Sequence, residues 1–352
     1  MHKLLAGVTI LEHELSALRL LVERQTGILL DCPNSALAAH IADYLERNEL
    51  ESPAGLLARL RSAELEPCQM AGFLDGIMNV STGFFRHPGA MSALGRQVVP
   101  QMLARKVSEG PATLRIWSAG CGSGEEPYSI AMAVCEALGS GSGNVTGNGN
   151  ANNGSKDAKT AVRNGGICES AAPATSNGFS KECSIHIVGT DLLRSAIQVA
   201  ERGVYPQSAL MGLPPAAIRA CFSKIGPNSS DGTQEGNGNG TSGAAANGNG
   251  SAYLLVKPRL RSLVTFNTMN LTKPVYIGRF DCIFCMDVLP HLSRTQRASL
   301  MERLHLYLEP GGYLFLSQTE KLCAPNLNFR SETYDGYTFY RKPLAAAAAY
   351  GR

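Results

Sequence analysis

The stretch LRIWSAGCGSGEEPYSIAMAVCEAL, from Leu114 to Leu138, decides the fold. It opens with a mostly apolar run that is typical of a buried strand, followed by a turn with glycine at Gly120, Gly122 and Gly124. After Pro127, apolar residues recur at helical spacing. A strand that ends in a glycine turn and leads into a helix brings its backbone close to a ligand at the carboxyl edge of a parallel sheet. The stretch therefore predicts an α/β fold with a ligand site at this turn.

The turn differs from a dinucleotide-binding turn in its last positions. The G-x-G-x-x-G pattern presents free helix N-terminal amides to a pyrophosphate, whereas Glu125 stands here in place of the third glycine and Glu126 follows it. Two carboxylates at a helix start stabilise the helix dipole but repel a phosphate. They suit a cationic or polyhydroxyl ligand, and S-adenosylmethionine is one such ligand, since it carries a sulfonium and an ammonium and no phosphate. An ordinary strand-to-helix turn with an acidic helix start is the alternative.

A further acidic residue supports a nucleoside ligand. Residues 184–189 are predicted to form a second strand, and Asp191 follows it. In a mononucleotide-binding unit, an acidic residue about 20 residues after the glycine turn accepts hydrogen bonds from ribose hydroxyls. Asp191 lies much further along, but most of the extra length is low-complexity sequence, and without it the spacing is close to that value. We therefore expect Asp191 to bind a ribose.

Three motifs together indicate a family. The chain contains STGFFRHP at 81–88, GEEPYS at 124–129 and the pattern A-x-x-G-x-Y at 200–205. In these segments it is similar to the chemotaxis receptor methyltransferase (CheR) family, and the resemblance covers nearly the whole chain outside two inserts. The resemblance implies a cytoplasmic enzyme that transfers a methyl group from S-adenosylmethionine to glutamate carboxylates of a chemoreceptor-like protein. The products would be glutamate methyl esters and S-adenosylhomocysteine, formed during sensory adaptation.

The alternation of strands and helices predicts a doubly wound α/β sheet. The resemblance implies that this sheet is of the class I methyltransferase, Rossmann type and carries a small all-α N-terminal domain. We place the helical domain at residues 1–78, the S-adenosylmethionine-binding domain at 79–343 and a tail at 344–352. Beyond the second strand, the sequence predicts strands at 264–271, 280–289 and 313–317, a helix at 294–308 that ends before a turn at 310–312, and a closing strand pair at 334–341.

Two segments, 139–180 and 226–251, are rich in Gly, Asn, Ser and Ala. They contain too few large apolar residues to offset the entropy lost on ordering, so we predict surface insertions. The second precedes residues 253–256, where some members of the family carry a small β-subdomain that grips a peptide at the receptor tail. The insert is expected to replace or expand that subdomain, which leaves this mode of docking open.

Composition and charge exclude several other classes of function. The formal net charge of +3 over 352 residues gives no electrostatic footprint for nucleic acid. No apolar run approaches the length of a membrane span, and the cysteines lack metal-ligand spacing, so neither membrane insertion nor a metal is expected. The partner implied by the resemblance is an acidic helical receptor or signalling protein, and we expect the enzyme to be a monomer. The helix that is strongly basic in the family offers only His40 and Arg47 here.

The chemistry of methyl transfer selects further residues. A substrate carboxylate is already ionised near pH 7 and needs an in-line approach to the methyl group rather than a general base. An arginine can hold a carboxylate through paired N–H donors. In the family the arginine of the FFR motif lines the site beside cofactor and substrate, which identifies Arg86 as the candidate; a surface arginine at a helix terminus is the alternative. Phe84 and Phe85 are expected to wall the pocket.

Other cofactor contacts are implied residue by residue through the resemblance. Asn270 and Leu271 resemble the adenine-side contacts of the family, although Asn270 could equally be a turn residue at a strand end. The complete set of cofactor-binding candidates is Thr82, Arg86, Gly120, Glu125, Glu126, Asp191, Asn270, Leu271 and Asp287.

The segment after the fourth strand departs from the family. Where the family usually reads F-C-R-N-V-x-x-Y, this chain has Met286, Asp287 and His291 at the arginine, asparagine and tyrosine positions. Asp287 can accept a hydrogen bond from the ammonium of the cofactor. His291, the second catalytic candidate, could replace a hydroxyl contact, act as a base toward a different nucleophile, or cap a helix. Two alternative functions therefore stay open: methyl transfer to another nucleophile, and a non-catalytic cofactor-binding signalling module.

Overall fold

The computed structural model describes residues 10–61, 67–78, 82–107, 112–140, 183–225, 253–322 and 326–344. The predicted insert at 226–251 and the tail beyond residue 344 lie outside the described residues. The insert at 139–180 also lies outside them, except for its first two residues, which end a helix.

The amino-terminal part of the described chain is helical, as predicted. Its elements are α1 (Glu12–Thr26), α2 (Asn34–Arg47), α3 (Pro53–Arg61) and α4 (Pro67–Ile77). Each of the first three buries one apolar stripe, such as Leu15, Leu18 and Val22 on α1. These stripes belong to the same hydrophobic cluster as Trp117 and Phe280, so the helices cover one face of the sheet.

The described strands, in chain order, are β1 (Ala112–Ala119), β2 (Cys183–Asp191), β3 (Val204–Pro206), β4 (Phe222–Lys224), β5 (Tyr253–Val256), β6 (Val264–Thr268), β7 (Phe280–Phe284), β8 (Leu308–Phe315), β9 (Arg330–Tyr334) and β10 (Tyr337–Arg341). The main sheet has the order β6-β2-β1-β7-β8-β10-β9. The first five of these run parallel, and β10 and β9 are antiparallel. The chain order reverses between β1 and β7, and ligands bind in the crevice at such a switch point.

Helices and apolar side chains cover both faces of the sheet. The remaining helices are α5 (Pro88–Ala93), α6 (Val99–Val107), α7 (Glu125–Ser140), α8 (Arg194–Arg202), α9 (Pro215–Cys221), α10 (Pro258–Arg261) and α11 (Arg294–Tyr307). Alternate residues of β1 enter different clusters: Ile116 packs with α5, α6 and α7, whereas Trp117 packs with α11 and the amino-terminal helices. This alternation is the pattern of a sheet buried on both sides, so the predicted doubly wound α/β fold is confirmed. None of the described helices is long and apolar enough to cross a membrane.

A second, antiparallel sheet of order β3-β5-β4 decides between the two alternatives given for the second insert. Strands β4 and β5 lie on either side of the segment 226–252, so the insert does not replace the small β-subdomain. The subdomain persists because its strands have apolar faces of their own. Leu254 and Val256 on β5 are buried, as are Phe222 on β4 and Tyr205 on β3.

Several predicted boundaries were wrong, and the strand predicted at 264–271 ends at Thr268. The strand predicted at 280–289 ends at Phe284, because Asp287 takes a left-handed conformation (φ 57°) and residues 289–291 form a 3-10 turn. The predicted helix-ending turn at 310–312 lies inside β8, which begins directly after α11. Leu308 pairs with Phe280 and Tyr313 with Cys282, so the proline and glycines form a bulge in the strand.

Candidate cofactor site

The glycine turn after β1 depends on backbone conformations that only glycine adopts readily. Gly120, Gly122 and Gly124 have φ of 83°, 54° and 96°. A Cβ on Gly120 would overlap Val288, and a Cβ on Gly124 would lie 2.6 Å from the Cβ of Ala200. The turn therefore needs glycine both for its dihedral angles and for close packing against the segments that follow β2 and β7.

The A-x-x-G-x-Y motif holds this turn in place. Ala200 packs directly against Gly124, and the Tyr205 hydroxyl donates a hydrogen bond of 2.6 Å to the carbonyl of Ser123. Gly203 ends α8 in the left-handed conformation and directs the chain into β3. The motif and the glycine turn thus form one structural unit, which explains why both belong to the same sequence signature.

Gly124→Ala is expected to destabilise the fold by roughly 2–3 kcal/mol, because the left-handed backbone and the contact with Ala200 both oppose a methyl group. The free energy of unfolding from urea titration measures the loss. Gly72→Ala in α4 is the matched control, since a Cβ there meets nothing within 4 Å. Alanine stabilises an exposed helix position relative to glycine, so the control should be at least as stable as the parent. Equal stabilities for both variants would contradict the prediction.

Asp191 lies at the carboxyl end of β2, beside the glycine turn. Its Oδ2 accepts a hydrogen bond of 2.9 Å from Gly122 N–H, and its Oδ1 accepts one of 2.9 Å from Leu193 N–H. Burial raises the pKa of this carboxyl above its usual range. Each oxygen retains lone-pair capacity beyond one backbone bond, so the carboxylate can also accept ribose hydroxyls.

The two glutamates that begin α7 have different surroundings. The Glu125 carboxylate accepts hydrogen bonds from the hydroxyls of Ser123 and Thr82, and burial raises its pKa. Glu126 lines the cavity and accepts a hydrogen bond of 2.6 Å from the Ser118 hydroxyl. Burial raises the pKa of Glu126 to about 7, with a further contribution from nearby carboxylates. Glu126 thus borders the cavity, and Glu125 fixes Thr82 at its edge.

Arg86, His87 and Asp287 form a polar cluster in the cavity wall. Arg86 Nη2 lies 3.1 Å and His87 Nε2 2.9 Å from the same oxygen, Asp287 Oδ2. The phenylalanines that precede Arg86 do not wall the pocket as expected. Phe84 packs edge-on against Tyr205 and Phe222, and Phe85 donates its backbone N–H to the Ser129 hydroxyl. The FFR motif therefore anchors the arginine through the core.

The segment after β7 contacts the amino-terminal helices. His291 lines the cavity with an exposed side chain, and its carbonyl accepts a hydrogen bond of 2.9 Å from Leu29 N–H. Ile28 pairs with Leu292 in an isolated antiparallel bridge. The connection between α1 and α2 therefore forms part of the cavity wall. The sequence analysis missed this contribution, although the apolar run after Gly27 is a signal for a buried connection.

Asn270 and Leu271 also lie in the cavity wall, and the structure assigns the asparagine a second role. The Asn270 amide donates to the carbonyl of Thr26, while its oxygen accepts hydrogen bonds from the backbone and hydroxyl of Thr272. The side chain thus tightens a turn and joins it to the end of α1, which agrees with the turn alternative for this residue. Leu271 supplies apolar surface to the cavity.

The cavity bounded by these groups has a volume of about 470 Å³, within the range of small-molecule sites. Its chemistry fits S-adenosylmethionine. Carboxylates suit the ammonium, Asp191 suits the ribose, and the left-handed glycine turn leaves room that a Cβ at Gly120 would reduce. The candidate residues that line the cavity are Thr82, Arg86, Gly120, Glu126, Asp191, Asn270, Leu271, Asp287 and His291.

The family match and two relatives agree with this fit. The family described as "CheR methyltransferase, SAM binding domain" matches residues 80–164 and 244–337, more than half of the chain. Chemotaxis protein methyltransferase 1 of Pseudomonas aeruginosa is 26% identical over 328 residues, which cover 89% of this chain and 96% of that protein. The chemotaxis protein methyltransferase of Vibrio parahaemolyticus is 26% identical over 323 residues, 91% of this chain and 93% of the relative. Among solved structures, the N-methyltransferase NodS from Bradyrhizobium japonicum is 12% identical with a TM-score of 0.28, over 73% of this chain and 98% of that one.

The fold, the site and the family match define a class I methyltransferase that uses S-adenosylmethionine. More specifically, the chain belongs to the CheR methyltransferase family. The resemblance found in the motifs is confirmed, and so is the predicted use of S-adenosylmethionine for methyl transfer.

Proposed function

We propose that the acceptor of the methyl group is a glutamate carboxylate of a chemoreceptor. The observation that carries this proposal is the position of Arg86, a guanidinium in the cavity wall within 3.1 Å of Asp287. A cation at this place suits an anionic acceptor, and an arginine fork matches the geometry of a carboxylate. The relatives described as chemotaxis protein methyltransferases support the same acceptor.

Some residues of the cavity bind the cofactor, and others orient the acceptor. Bound S-adenosylmethionine supplies a methyl group on a positively charged sulfur, which is open to attack by a nucleophile. Glu126 and Asp287 would hold the ammonium, Asp191 would hold the ribose, and Leu271 would pack against the adenine. Thr82, held by Glu125, contacts the cofactor at the edge of the site.

Arg86 orients the acceptor carboxylate, and no residue needs to remove a proton, because the carboxylate is already ionised near neutral pH. The contribution of the protein is therefore positioning and the removal of water from the reacting groups. His291, exposed at the cavity and joined through its backbone to the α1–α2 connection, contacts the acceptor segment rather than serving as a base.

We further propose that the helices up to residue 78 form the unit that recognises the substrate, and that residues 79–343 form the catalytic unit. The contacts of Asn270 and Thr272 with Thr26, and the bridge between Ile28 and Leu292, support this division of labour. They connect the helical part directly to the wall of the cavity.

Transfer of a radiolabelled methyl group to chemoreceptor-containing membranes tests the proposal. Mild alkali should release the label as volatile methanol, because a carboxyl methyl ester is hydrolysed where N-methyl and ether products are not. Excess S-adenosylhomocysteine should suppress the transfer. Label that resists alkali would instead support another nucleophile, as the exposed His291 would allow. Cofactor binding without any transfer would support a signalling module that lacks turnover.

A further inference from the structure

Glu320 stands out as a buried carboxylate for which the cofactor site described above has no direct use. Only 8% of its surface is exposed, and it is not among the described residues that line the cavity. Its Oε2 accepts hydrogen bonds from the N–H groups of Asp287 (3.1 Å) and Ser317 (3.0 Å) and from the Ser317 hydroxyl (2.9 Å). Its Oε1 accepts one of 2.9 Å from Leu289 N–H. One carboxylate therefore joins the end of β8 to the segment after β7.

Asp287 needs such support because its backbone is strained. Its φ of 57° lies in the left-handed region, which is energetically unfavourable for a non-glycine residue, although an aspartate tolerates it better than most. Glu320 binds the N–H of Asp287 itself and that of Leu289 two residues later. These two bonds fix the chain on either side of Val288, so they determine where the Asp287 side chain enters the cavity.

The position of that side chain matters because its two oxygens have different tasks. Arg86 and His87 both contact Oδ2, so among the described contacts Oδ1 is the oxygen that remains for the cofactor ammonium. A rotation of the backbone at Asp287 would displace the whole carboxylate, so that one oxygen could no longer reach the ammonium while the other stays with Arg86 and His87.

The negative charge of Glu320 is electrostatically unfavourable at this position, because another buried carboxylate lies nearby. Its carboxylate lies close enough to Glu126 to contribute to the raised pKa of that group. A neutral glutamine would avoid the repulsion. However, its amide nitrogen is a donor, and both Glu320 oxygens face N–H donors, so only a carboxylate satisfies all four hydrogen bonds.

We propose that Glu320 is a positioning residue for the cofactor site, acting through the left-handed backbone of Asp287 to present that carboxylate to the ammonium. This inference rests on the proposed role of Asp287 as a cofactor contact.

A double-mutant cycle on cofactor affinity tests the inference. The dissociation constant of S-adenosylhomocysteine, measured by calorimetry, follows binding independently of any acceptor. Glu320→Gln is expected to weaken binding roughly tenfold to hundredfold. The NH₂ group of glutamine is a donor, so it would face buried N–H groups that previously donated to the Glu320 carboxylate. In the Asp287→Asn background the same change should weaken binding less than threefold, because the carboxylate through which Glu320 acts is absent.

Asp281→Asn is the matched control. Asp281 is a buried carboxylate on β7 that accepts the N–H of Arg115 and pairs with Lys106 at 2.8 Å, away from the cavity. Its replacement should lower thermal stability but change the dissociation constant less than twofold. Should Glu320→Gln not fold, Glu320→Asp replaces it. That side chain retains the charge but is one methylene too short to bridge to Asp287 and Leu289.

The outcomes separate the two proposals. If Asp287→Asn alone leaves affinity unchanged, both the cofactor role of Asp287 and the positioning role of Glu320 are overturned. If Asp287→Asn weakens binding but the Glu320 variants do not, the positioning role alone is overturned. The same fold-loss from the Glu320 variants in both backgrounds would show that Glu320 acts only on the stability of the fold, which also overturns it.

Discussion

Arg86→Ala is expected to lower kcat for methyl transfer roughly a thousandfold while cofactor affinity changes less than threefold. The guanidinium is the group in the cavity wall that suits an acceptor carboxylate, so its removal leaves the nucleophile without orientation. The cofactor should still bind, because the loss of Arg86 leaves Asp287 less neutralised and therefore at least as attractive to an ammonium. Single-turnover transfer to a receptor fragment measures the rate, and calorimetry measures the affinity.

Two further variants control this experiment. Arg86→Lys keeps the charge but loses the planar fork, so it should recover only part of the rate. Arg341→Ala removes a partly exposed arginine that pairs with Glu332 at 3.5 Å and does not line the cavity, so its rate should match the parent. Full turnover by Arg86→Ala would leave the arginine without a role in the reaction. Loss of cofactor binding in that variant would assign it to the cofactor alone.

The parts of the site that could be predicted from sequence are those fixed by local interactions. The glycine turn follows from dihedral angles that other residues resist, and the position of Asp191 follows from its place directly after β2. The insertion between the glycine turn and Asp191 does not obscure this signal, because it lies outside both motifs. The helical amino-terminal part was predictable for the same reason, since each helix carries its own apolar stripe.

The parts that could not be predicted depend on contacts between distant segments. Glu320 binds a backbone N–H 33 residues earlier in the chain, and Asn270 binds Thr26 across 244 residues. Nothing in the neighbouring sequence of either residue indicates its partner. The end of β7 was misplaced for a related reason, because the left-handed backbone of Asp287 is held by a hydrogen bond from its N–H to the distant Glu320.

The small sheet could not be predicted from local composition either. Strands β4 and β5 pair with each other from opposite sides of a low-complexity segment, and each is only three or four residues long. Such short strands have little signal of their own. Their stability comes from burial of Phe222 and Val256 in the core that α7 and β1 also share.

Cofactor affinity is expected to fall about tenfold for each pH unit below 7. Burial raises the pKa of Glu126 to about 7 in the free protein, with Asp287 and Glu320 adding to the rise and Arg86 opposing it. A bound ammonium favours the carboxylate and lowers that pKa. Below pH 7 the carboxyl must therefore lose a proton before it can pair with the cofactor, and this loss opposes binding.

Proton release distinguishes Glu126 from other acidic groups of the cavity. At pH 6, binding enthalpies measured in two buffers of different ionisation enthalpy should show the release of about one proton per cofactor. Glu126→Gln cannot release that proton, so its binding enthalpy should become nearly independent of the buffer, although its affinity at pH 8 falls. Asp191 also has a raised pKa, but it is held by two backbone N–H groups and remains present in the variant. Proton release that persists in Glu126→Gln would therefore assign the pH dependence to Asp191 instead, and the ammonium would have to bind elsewhere in the cavity.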